Sequence, residues 1–229
     1  MKSVLITGGT VRLGAAIAER LRAEGWRVIT SSHRADAGAD IVADLAEPMG
    51  PAKLYAATLQ ILGGMPPDAL VNNAALFTGD AAAIGTVNLE APKKLTMLMA
   101  GRETSVGAVV NILDSAVLGP LESIGLGTTT LNDPNPTLND PKRHYLASKR
   151  ALLDFTRSAA ATFAATLRVN GVAPGPVLAP TDVHVKAGET LLDRRPTADD
   201  VAAAVSYLLG AESVTGTVIP VDAGQHLVK

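Results

Sequence analysis

The sequence predicts an α/β fold in which a parallel β-sheet is covered by helices on both faces. Three observations predict it. Short apolar runs alternate with Ala-rich helical stretches over the whole chain, each run is only about four to six residues long, and a Gly-containing turn follows the first run. Runs that are apolar throughout are typical of strands buried on both faces. Their alternation with helices favours parallel pairing of the strands.

The elements follow one another with few gaps. The expected strands are 4–7, 26–31, 40–43, 69–72, 108–113, 168–172 and 217–221. The expected helices are 13–24, which Gly25 ends, and 51–62, 81–100, 145–163 and 198–209. The stretches 118–143 and 174–196 are rich in turn-forming residues and are expected to be irregular. Both follow carboxyl ends of strands, where open α/β sheets bind ligands.

Composition excludes several classes of protein. The 229 residues fit one domain, and a net charge of −2 gives no basic surplus for binding nucleic acid. Without cysteine there are no disulfides, thiolate nucleophiles or cysteine-ligated metals. The four histidines lack metal-ligand spacing, so no metal is expected. Neither a secretory apolar run nor a membrane span is present, which predicts a cytoplasmic protein that does not bind membranes.

A phosphate-binding turn follows the first strand. In Thr7-Gly-Gly-Thr-Val-Arg-Leu-Gly14, Gly8 allows a tight turn and Gly14 allows close packing of the helix. The amino terminus of that helix then offers free N–H groups and a positive dipole end to a pyrophosphate. Arg12 replaces the glycine usual in the middle of such turns. We interpret it as a cation over the phosphates, the alternative being a solvated residue that opposes the helix dipole.

The end of the second strand favours NADP over NAD. An NAD enzyme carries an acidic residue here for the ribose 2′-hydroxyl, but no acid appears before Asp36. Ser32, His33 and Arg34 occupy the position instead. Guanidinium pairs strongly and in a bidentate manner with phosphate, so these residues are expected to bind a 2′-phosphate.

Further motifs resemble those of the short-chain dehydrogenase/reductase family. They are Asn72-Asn-Ala-Ala75, Tyr145-Leu-Ala-Ser-Lys149, Arg168-Val-Asn-Gly-Val-Ala-Pro-Gly175 and Val221-Asp-Ala-Gly224, in family order. The resemblance implies a single Rossmann-type domain over 1–229, a doubly wound seven-stranded sheet, NADP(H), a small-molecule substrate and a homotetramer. It adds cofactor contacts at Leu13, Asp44, Leu45, Asn73, Ala74, Ala75, Pro174, Gly175 and Val177.

The resemblance also implies the catalytic roles. Tyr145 is the acid/base, Lys149 holds the nicotinamide ribose, and Asn88 supports a proton-relay water. Tyr145 and Lys149 share a helix face at this spacing, and a neighbouring cation is expected to lower the pKa of the phenol toward neutrality.

One departure points to a subgroup. Asp114 stands where the family normally has serine, and an ionised carboxylate cannot donate to a substrate carbonyl. Together with Arg12, Ser32-His-Arg34 and Phe77, it resembles the pteridine reductases and dihydromonapterin reductases. That likeness implies reduction of a C=N bond, with the substrate held by Arg12, Phe77, Asp114 and Tyr145.

Two alternatives stay open. If Asp114 only caps a loop and Ser115 supplies the hydroxyl, the chain is a carbonyl reductase of a 3-oxoacyl thioester or a sugar ketone. The other is a non-catalytic NADP-sensing protein, although Tyr145, Lys149 and Asn88 are all present. Asp114 and Tyr145 also lie further apart in sequence than the family pattern places them. The additional residues fall within 118–143 and are expected to reshape or cover the pocket.

Overall fold

The computed structural model describes residues 1–102, 106–119, 141–177 and 190–228. Its strands are β1 (Ser3–Thr7), β2 (Arg27–Ser32), β3 (Ile41–Val42), β4 (Ala69–Asn72), β5 (Gly107–Ile112), β6 (Leu167–Pro174) and β7 (Val218–Val221). Its helices are α1 (Arg12–Ala23), α2 (Gly50–Ile61), α3 (Ala81–Gly85), α4 (Ala91–Ala100), α5 (Pro141–Thr162) and α6 (Ala198–Gly210). Among these residues, short 3-10 turns cover Ala35–Ala37, Ser115–Leu118 and Gln225–Leu227.

The strands form one seven-stranded parallel sheet in the order β3-β2-β1-β4-β5-β6-β7. The predicted doubly wound, Rossmann-type sheet is confirmed. The order reverses between β1 and β4, because the chain builds outward from β1 to β3 and then returns to continue on the other side. Ligands bind in the crevice that such a reversal opens at the carboxyl ends of the strands.

Alternate residues of β1 enter two separate cores, one on each face of the sheet. Val4 and Ile6 pack with Ile17 of α1 and Val205 of α6 on one face of the sheet. Leu5 points the other way, into the core that α2, α4 and α5 cover. All five residues of β1 are buried, as the uninterrupted apolar run predicted. A central strand held from both faces is a rigid base for the turn that follows it.

The predicted helix at 81–100 is wrong in one respect, because a π-helical segment, Thr86–Glu90, separates α3 from α4. Pro92 has no N–H for the carbonyl of Asn88, so the regular hydrogen-bond ladder cannot pass this point. Single π-helical turns inside α-helices often occur at functional sites. Here the segment carries Asn88, which is fully buried.

Other bounds differ by a few residues. Helix α5 begins at Pro141, inside the stretch expected to be irregular, and β6 continues to Pro174. The remainder of the two expected irregular stretches, residues 120–140 and 178–189, lies outside the described residues. In the part of the chain that the structure describes, no helix has the length and apolarity to cross a lipid bilayer.

Candidate active site

A cleft of about 1080 Å³ opens at the carboxyl ends of β1, β2, β4, β5 and β6. Its volume is slightly above the usual range for small-molecule sites, roughly 300–1,000 Å³. Almost every residue predicted for the site lines it. These are Gly8, Arg12, Leu13, Gly14, Ser32, His33, Arg34, Asp44, Leu45, Asn73, Ala74, Ala75, Phe77, Asp114, Tyr145, Lys149, Pro174, Gly175 and Val177. Asn88 lies behind the cleft wall.

The turn between β1 and α1 depends on its glycines. Gly8 has φ +62°, and a Cβ on Gly14 would lie 2.0 Å from the carbonyl oxygen of Gly8. Asn73 Nδ2 donates to the carbonyls of Thr7 and Gly8, at 2.9 and 3.0 Å, and so ties the turn to the end of β4. The turn is therefore preformed.

The start of α1 is suited to an anion. Val11 caps the helix without a side-chain hydrogen bond, and the first turn holds no acidic residue. Its first N–H groups therefore face the cleft with the positive end of the helix dipole. Arg12 is exposed and has φ 50°, a left-handed conformation that glycine adopts without steric cost. A cation in a strained backbone conformation at a cleft fits a binding role.

The cation expected to bind a 2′-phosphate is engaged in an ion pair. Arg34 Nε donates to Asp36 Oδ1 at 3.0 Å, and its Nη2 donates to Asp36 Oδ2 at 2.7 Å. The pair raises the pKa of Arg34 and lowers that of Asp36 through the hydrogen bonds and the opposite charge. Ser32 Oγ accepts from the backbone N–H of Arg34 at 3.1 Å, which fixes the base of this loop.

Asp114 and Tyr145 meet at the inner end of the cleft. Tyr145 Oη donates to Asp114 Oδ2 at 3.0 Å, while Asp114 Oδ1 accepts from the N–H of Ala116 at 2.9 Å. The expectation that Lys149 lowers the pKa of Tyr145 is wrong for this state. Burial of the phenol, followed by the Asp114 carboxylate, raises that pKa above its usual value. Tyr145 is therefore protonated at neutral pH.

Lys149 lies beneath the phenol ring rather than against its hydroxyl. Its Nζ is 5.8 Å from the centre of the Tyr145 ring and donates to the carbonyl of Ile112 at 2.7 Å. Burial lowers the pKa of the ammonium to about 8, an effect that the Asp114 carboxylate partly offsets. The ammonium faces the cleft from the end of β5 and can donate to ligand hydroxyls there.

Asn88 lies behind the cleft wall, where its side chain connects the segment after β4 to helix α5. Its Oδ1 accepts from the N–H of Leu76 at 2.7 Å, and its Nδ2 donates to the carbonyl of Leu76 at 2.8 Å and to Ser148 Oγ at 3.1 Å. Ser148 in turn donates to the carbonyl of Tyr145 at 2.6 Å. The amide thereby fixes the segment after β4 against the helix that carries Tyr145. That segment ends in Phe77, whose ring centre lies 4.9 Å from that of Tyr145 at 55°.

A turn at the carboxyl end of the chain supports the far wall of the cleft. Asp222 is buried and accepts from the backbone N–H groups of Gly224 and His226, at 3.0 and 2.7 Å, while His226 Nδ1 lies 2.7 Å from its Oδ2. Gly175 packs directly on Asp222, since an added Cβ there would lie 2.7 Å from the aspartate Cβ. Gln225 Oε1 accepts from Ser115 Oγ at 3.5 Å, next to Asp114.

Sequence reasoning missed the roles of Asp36, Ser148, Asp222 and Gln225. Spacing signalled only one of them, because Asp36 follows Arg34 by two residues at the end of β2. Ser115, the alternative source of a hydroxyl, is 1% exposed and does not line the cleft. Among the described residues, no cluster of potential ligands could hold a metal ion.

The residues present fit a phosphorylated dinucleotide. The glycine turn places uncapped N–H groups of α1 at one side of the cleft, Arg12 and Arg34 add two cations near its rim, and Lys149 lies deep inside. Guanidinium and backbone N–H groups are the usual partners of phosphate oxygens.

Comparisons with known proteins agree with this site. Residues 11–226 match the family model described as enoyl-(acyl carrier protein) reductase, a short-chain dehydrogenase/reductase model. FolM alternative dihydrofolate reductase 1 from Brucella canis, solved in complex with NADP, is 31% identical over 100% of this chain and 95% of that chain, with a TM-score of 0.80. Pteridine reductase 1 of Leishmania tarentolae is 28% identical over 98% of this chain and 96% of its own length.

Relatives with other substrates match almost as well. The 3-alpha-hydroxysteroid dehydrogenase from Pseudomonas sp. B-0831, solved in complex with NADH, is 26% identical over 97% of this chain and 96% of that chain, with a TM-score of 0.78. The family model covers most of the chain, and the solved relatives share its fold. This chain belongs to the short-chain dehydrogenase/reductase family of oxidoreductases.

Proposed function

We propose that this chain is an NADPH-dependent reductase that reduces a C=N bond of a dihydropterin-type substrate. The observation that carries the proposal is the carboxylate of Asp114, 3.0 Å from the hydroxyl of Tyr145 at the inner end of the cleft. The similarity to pteridine reductase 1 and to the FolM enzyme supports it.

Different residues that line the cleft would hold different parts of the cofactor. The glycine turn and Arg12 would hold the pyrophosphate, Ser32, His33 and Arg34 the adenosine 2′-phosphate, and Asp44 and Leu45 the adenine. Asn73, Ala74, Ala75, Lys149, Pro174, Gly175 and Val177 would hold the nicotinamide riboside. Bound NADPH supplies a hydride to the substrate.

A carboxylate suits a pterin better than it suits a ketone. Pterin rings carry N–H and amino donors, and Asp114 offers acceptor oxygens to them. Reduction of C=N adds a hydride to carbon and a proton to nitrogen. Tyr145, which keeps its proton at neutral pH, would supply or relay that proton once its O–H turns from Asp114 to the substrate nitrogen, and Asp114 would pair with the N–H groups of the substrate or shuttle a proton. The exposed ring of Phe77 offers a face on which a planar heterocycle can stack.

A carbonyl reductase is the second candidate, and the match to the 3-alpha-hydroxysteroid dehydrogenase favours it. Besides Tyr145, it needs a second neutral donor for the oxyanion that forms from the carbonyl. Ser115 is the nearest hydroxyl in sequence, but its Oγ is directed to Gln225, and Asp114 would repel the oxyanion. An NADP-sensing protein without activity is less well supported, because Tyr145, Lys149 and Asn88 are all present and make the hydrogen bonds described above.

The test is NADPH oxidation, followed at 340 nm, with dihydromonapterin and dihydrobiopterin beside ketones and 3-oxoacyl thioesters. We expect pterin turnover in the parent protein, a loss of about 100-fold or more in Asp114→Ser, and a smaller loss in Phe77→Ala that appears mainly in KM. Phe77→Tyr is the matched control that keeps the ring. Ketone turnover that survives or improves in Asp114→Ser would favour the carbonyl reductase, and binding of NADPH without turnover of any compound would favour the sensor.

We further infer from family membership that the protein is a homotetramer in the cytoplasm. Light scattering coupled to size-exclusion chromatography tests the oligomeric state, and cell fractionation tests the location.

A further inference from the structure

Arg34 and Asp36 form a closed ion pair at the rim of the cleft. Two N–H groups of the guanidinium, on Nε and Nη2, donate to both carboxylate oxygens at 3.0 and 2.7 Å. Both side chains are more exposed than buried, at 61% and 70%, and both residues line the cleft. This side-on, two-bond geometry is one of the arrangements in which a guanidinium binds a phosphate.

A 2′-phosphate and Asp36 therefore compete for the donors of Arg34, because Asp36 already occupies the Nε–Nη2 edge. The phosphate must displace the carboxylate or share the guanidinium with it, and in either case two negative charges approach each other. An exposed pair is screened by water, so the competition is moderate rather than prohibitive. Asp36 also offers what a ribose 2′-hydroxyl needs, because acidic residues after the second strand accept from that hydroxyl in NAD enzymes.

We propose that Asp36 is a specificity-determining residue that opposes Arg34 and lowers the preference of this protein for NADPH over NADH. The inference rests on the cofactor assignment of the proposed function but not on the substrate. Arg34 attracts the 2′-phosphate. When the phosphate is absent, Asp36 accepts from the guanidinium of Arg34. When the ligand carries a 2′-hydroxyl instead of a phosphate, Asp36 serves as the acceptor for that hydroxyl. The chain thus carries both determinants, two residues apart.

The geometry of the loop indicates that Asp36 acts on Arg34 by direct contact and not from a distance. Ser32 Oγ accepts from the N–H of Arg34, and the turn Ala35–Ala37 carries Asp36 immediately afterwards. The charge of His33 also lowers the pKa of Asp36, as the smallest of its causes. A substitution of Asp36 leaves these backbone contacts in place and removes only the acceptor that closes the guanidinium fork.

The experiment is a binding titration of Asp36→Asn against the parent protein, by calorimetry, without any pterin. The ligands are NADPH, NADH and adenosine 2′,5′-bisphosphate, which carries the 2′-phosphate alone. We expect Asp36→Asn to bind NADPH and the bisphosphate ~3- to 10-fold more tightly, with NADH binding unchanged or weaker. Glu19→Gln, the same change of charge at an exposed position of α1, should leave the ratio of NADH to NADPH dissociation constants at the parent value.

Two results would overturn the inference. Equal tightening for NADPH and NADH would mean that Asp36 acts only through general charge. Unchanged or weaker NADPH binding would mean that Asp36 does not compete for the fork, or that it orients Arg34 for the phosphate. The double variant Arg34→Ala/Asp36→Asn separates these cases, because the gain from Asp36→Asn must vanish when Arg34 is absent. Failure of the parent protein to bind NADPH would instead reject the cofactor assignment itself.

Discussion

The hydroxyl of Tyr145 donates a hydrogen bond to the Asp114 carboxylate at 3.0 Å. Among the described residues, no cation lies at the same distance to neutralise the charge of that carboxylate. Loss of the phenolic proton would place two negative charges side by side in a buried site. Burial and Asp114 both raise the pKa of Tyr145 for this reason, with burial the larger cause.

We expect Asp114→Asn to lower the pKa of Tyr145 without restoring its ordinary value, because the burial remains. The Cζ resonance of labelled tyrosine reports phenol ionisation, and Tyr145→Phe identifies the signal among the three tyrosines. The resonance of Tyr207, which is exposed and lies outside the cleft, is the internal reference for the two spectra. An unchanged Tyr145 titration would mean that the Asp114 carboxylate does not affect the pKa of the Tyr145 phenol.

Lys149 should make the protein more stable as pH rises above 8. Below pH 8 the ammonium is charged in both the folded and the unfolded protein, so the full cost of its burial is present. Between the folded pKa of about 8 and the ordinary value of 10.5, only the unfolded chain keeps the proton, and the free energy of unfolding rises with pH. From pH 8 to 9.5 the gain is about 2 kcal/mol.

The measurement is urea unfolding of the cofactor-free protein at several pH values, in the parent and in Lys149→Met. The variant lacks the titrating group, so its stability should stay nearly level over this range. Loss of the bond to the Ile112 carbonyl offsets the whole curve but does not change its slope, which is why the slopes are compared. Parallel curves for the two proteins would contradict a depressed pKa at Lys149.

Sequence reasoning reached the sheet and the cleft because both follow from local patterns. The apolar runs placed all seven strands, and a parallel sheet brings the residues after β1, β2, β4 and β5 to one edge. Gly8, Arg34 and Asp114 consequently line the same cleft, as expected.

Relationships between side chains distant in sequence could not be predicted in this way. The direction of the Tyr145 pKa depends on Asp114 reaching the hydroxyl and on the depth of burial, and neither is a property of the Tyr-x-x-x-Lys pattern. The π-helical segment at Asn88 depends on Pro92 and on contacts with Leu76 and Ser148. The pairing of Asp36 with Arg34 is local, and their spacing of two residues signals it, but its geometry depends on the 3-10 turn Ala35–Ala37.

Gly14→Ala should disrupt the turn and with it cofactor binding. The new Cβ would lie 2.0 Å from the Gly8 carbonyl oxygen and 2.6 Å from Asn73 Nδ2, so the backbone must move. We expect a loss of about 1–3 kcal/mol in stability and at least a tenfold loss in NADPH affinity. Gly85→Ala is the matched control, since nothing lies within 4 Å of its added Cβ and its φ is −61°. It should gain ~0.4–1 kcal/mol in urea unfolding and bind NADPH as the parent does.

Asp222 stabilises the fold and also supports the wall of the cleft. Its buried carboxylate satisfies two backbone N–H groups and contacts the His226 ring, and Gly175 rests on its Cα and Cβ. Asp222→Ala leaves those donors without their acceptor and frees the turn that carries Gln225 toward Ser115. We expect a loss of about 2–4 kcal/mol in the free energy of unfolding, because each orphaned buried donor costs ~1–3 kcal/mol and the turn relaxes in part.

The same variant should weaken NADPH binding in the fraction that remains folded, since the Pro174–Gly175 wall loses its support. Asp193→Ala, at an exposed site before α6, is the control and should stay within ~0.5 kcal/mol of the parent. Urea unfolding with and without saturating NADPH separates the two effects. If only the wall moved, NADPH would stabilise the variant less than the parent while its cofactor-free stability stayed normal. If Asp222 served stability alone, the stabilisation by NADPH would be the same in both proteins, and the role of this turn in the cleft would be excluded.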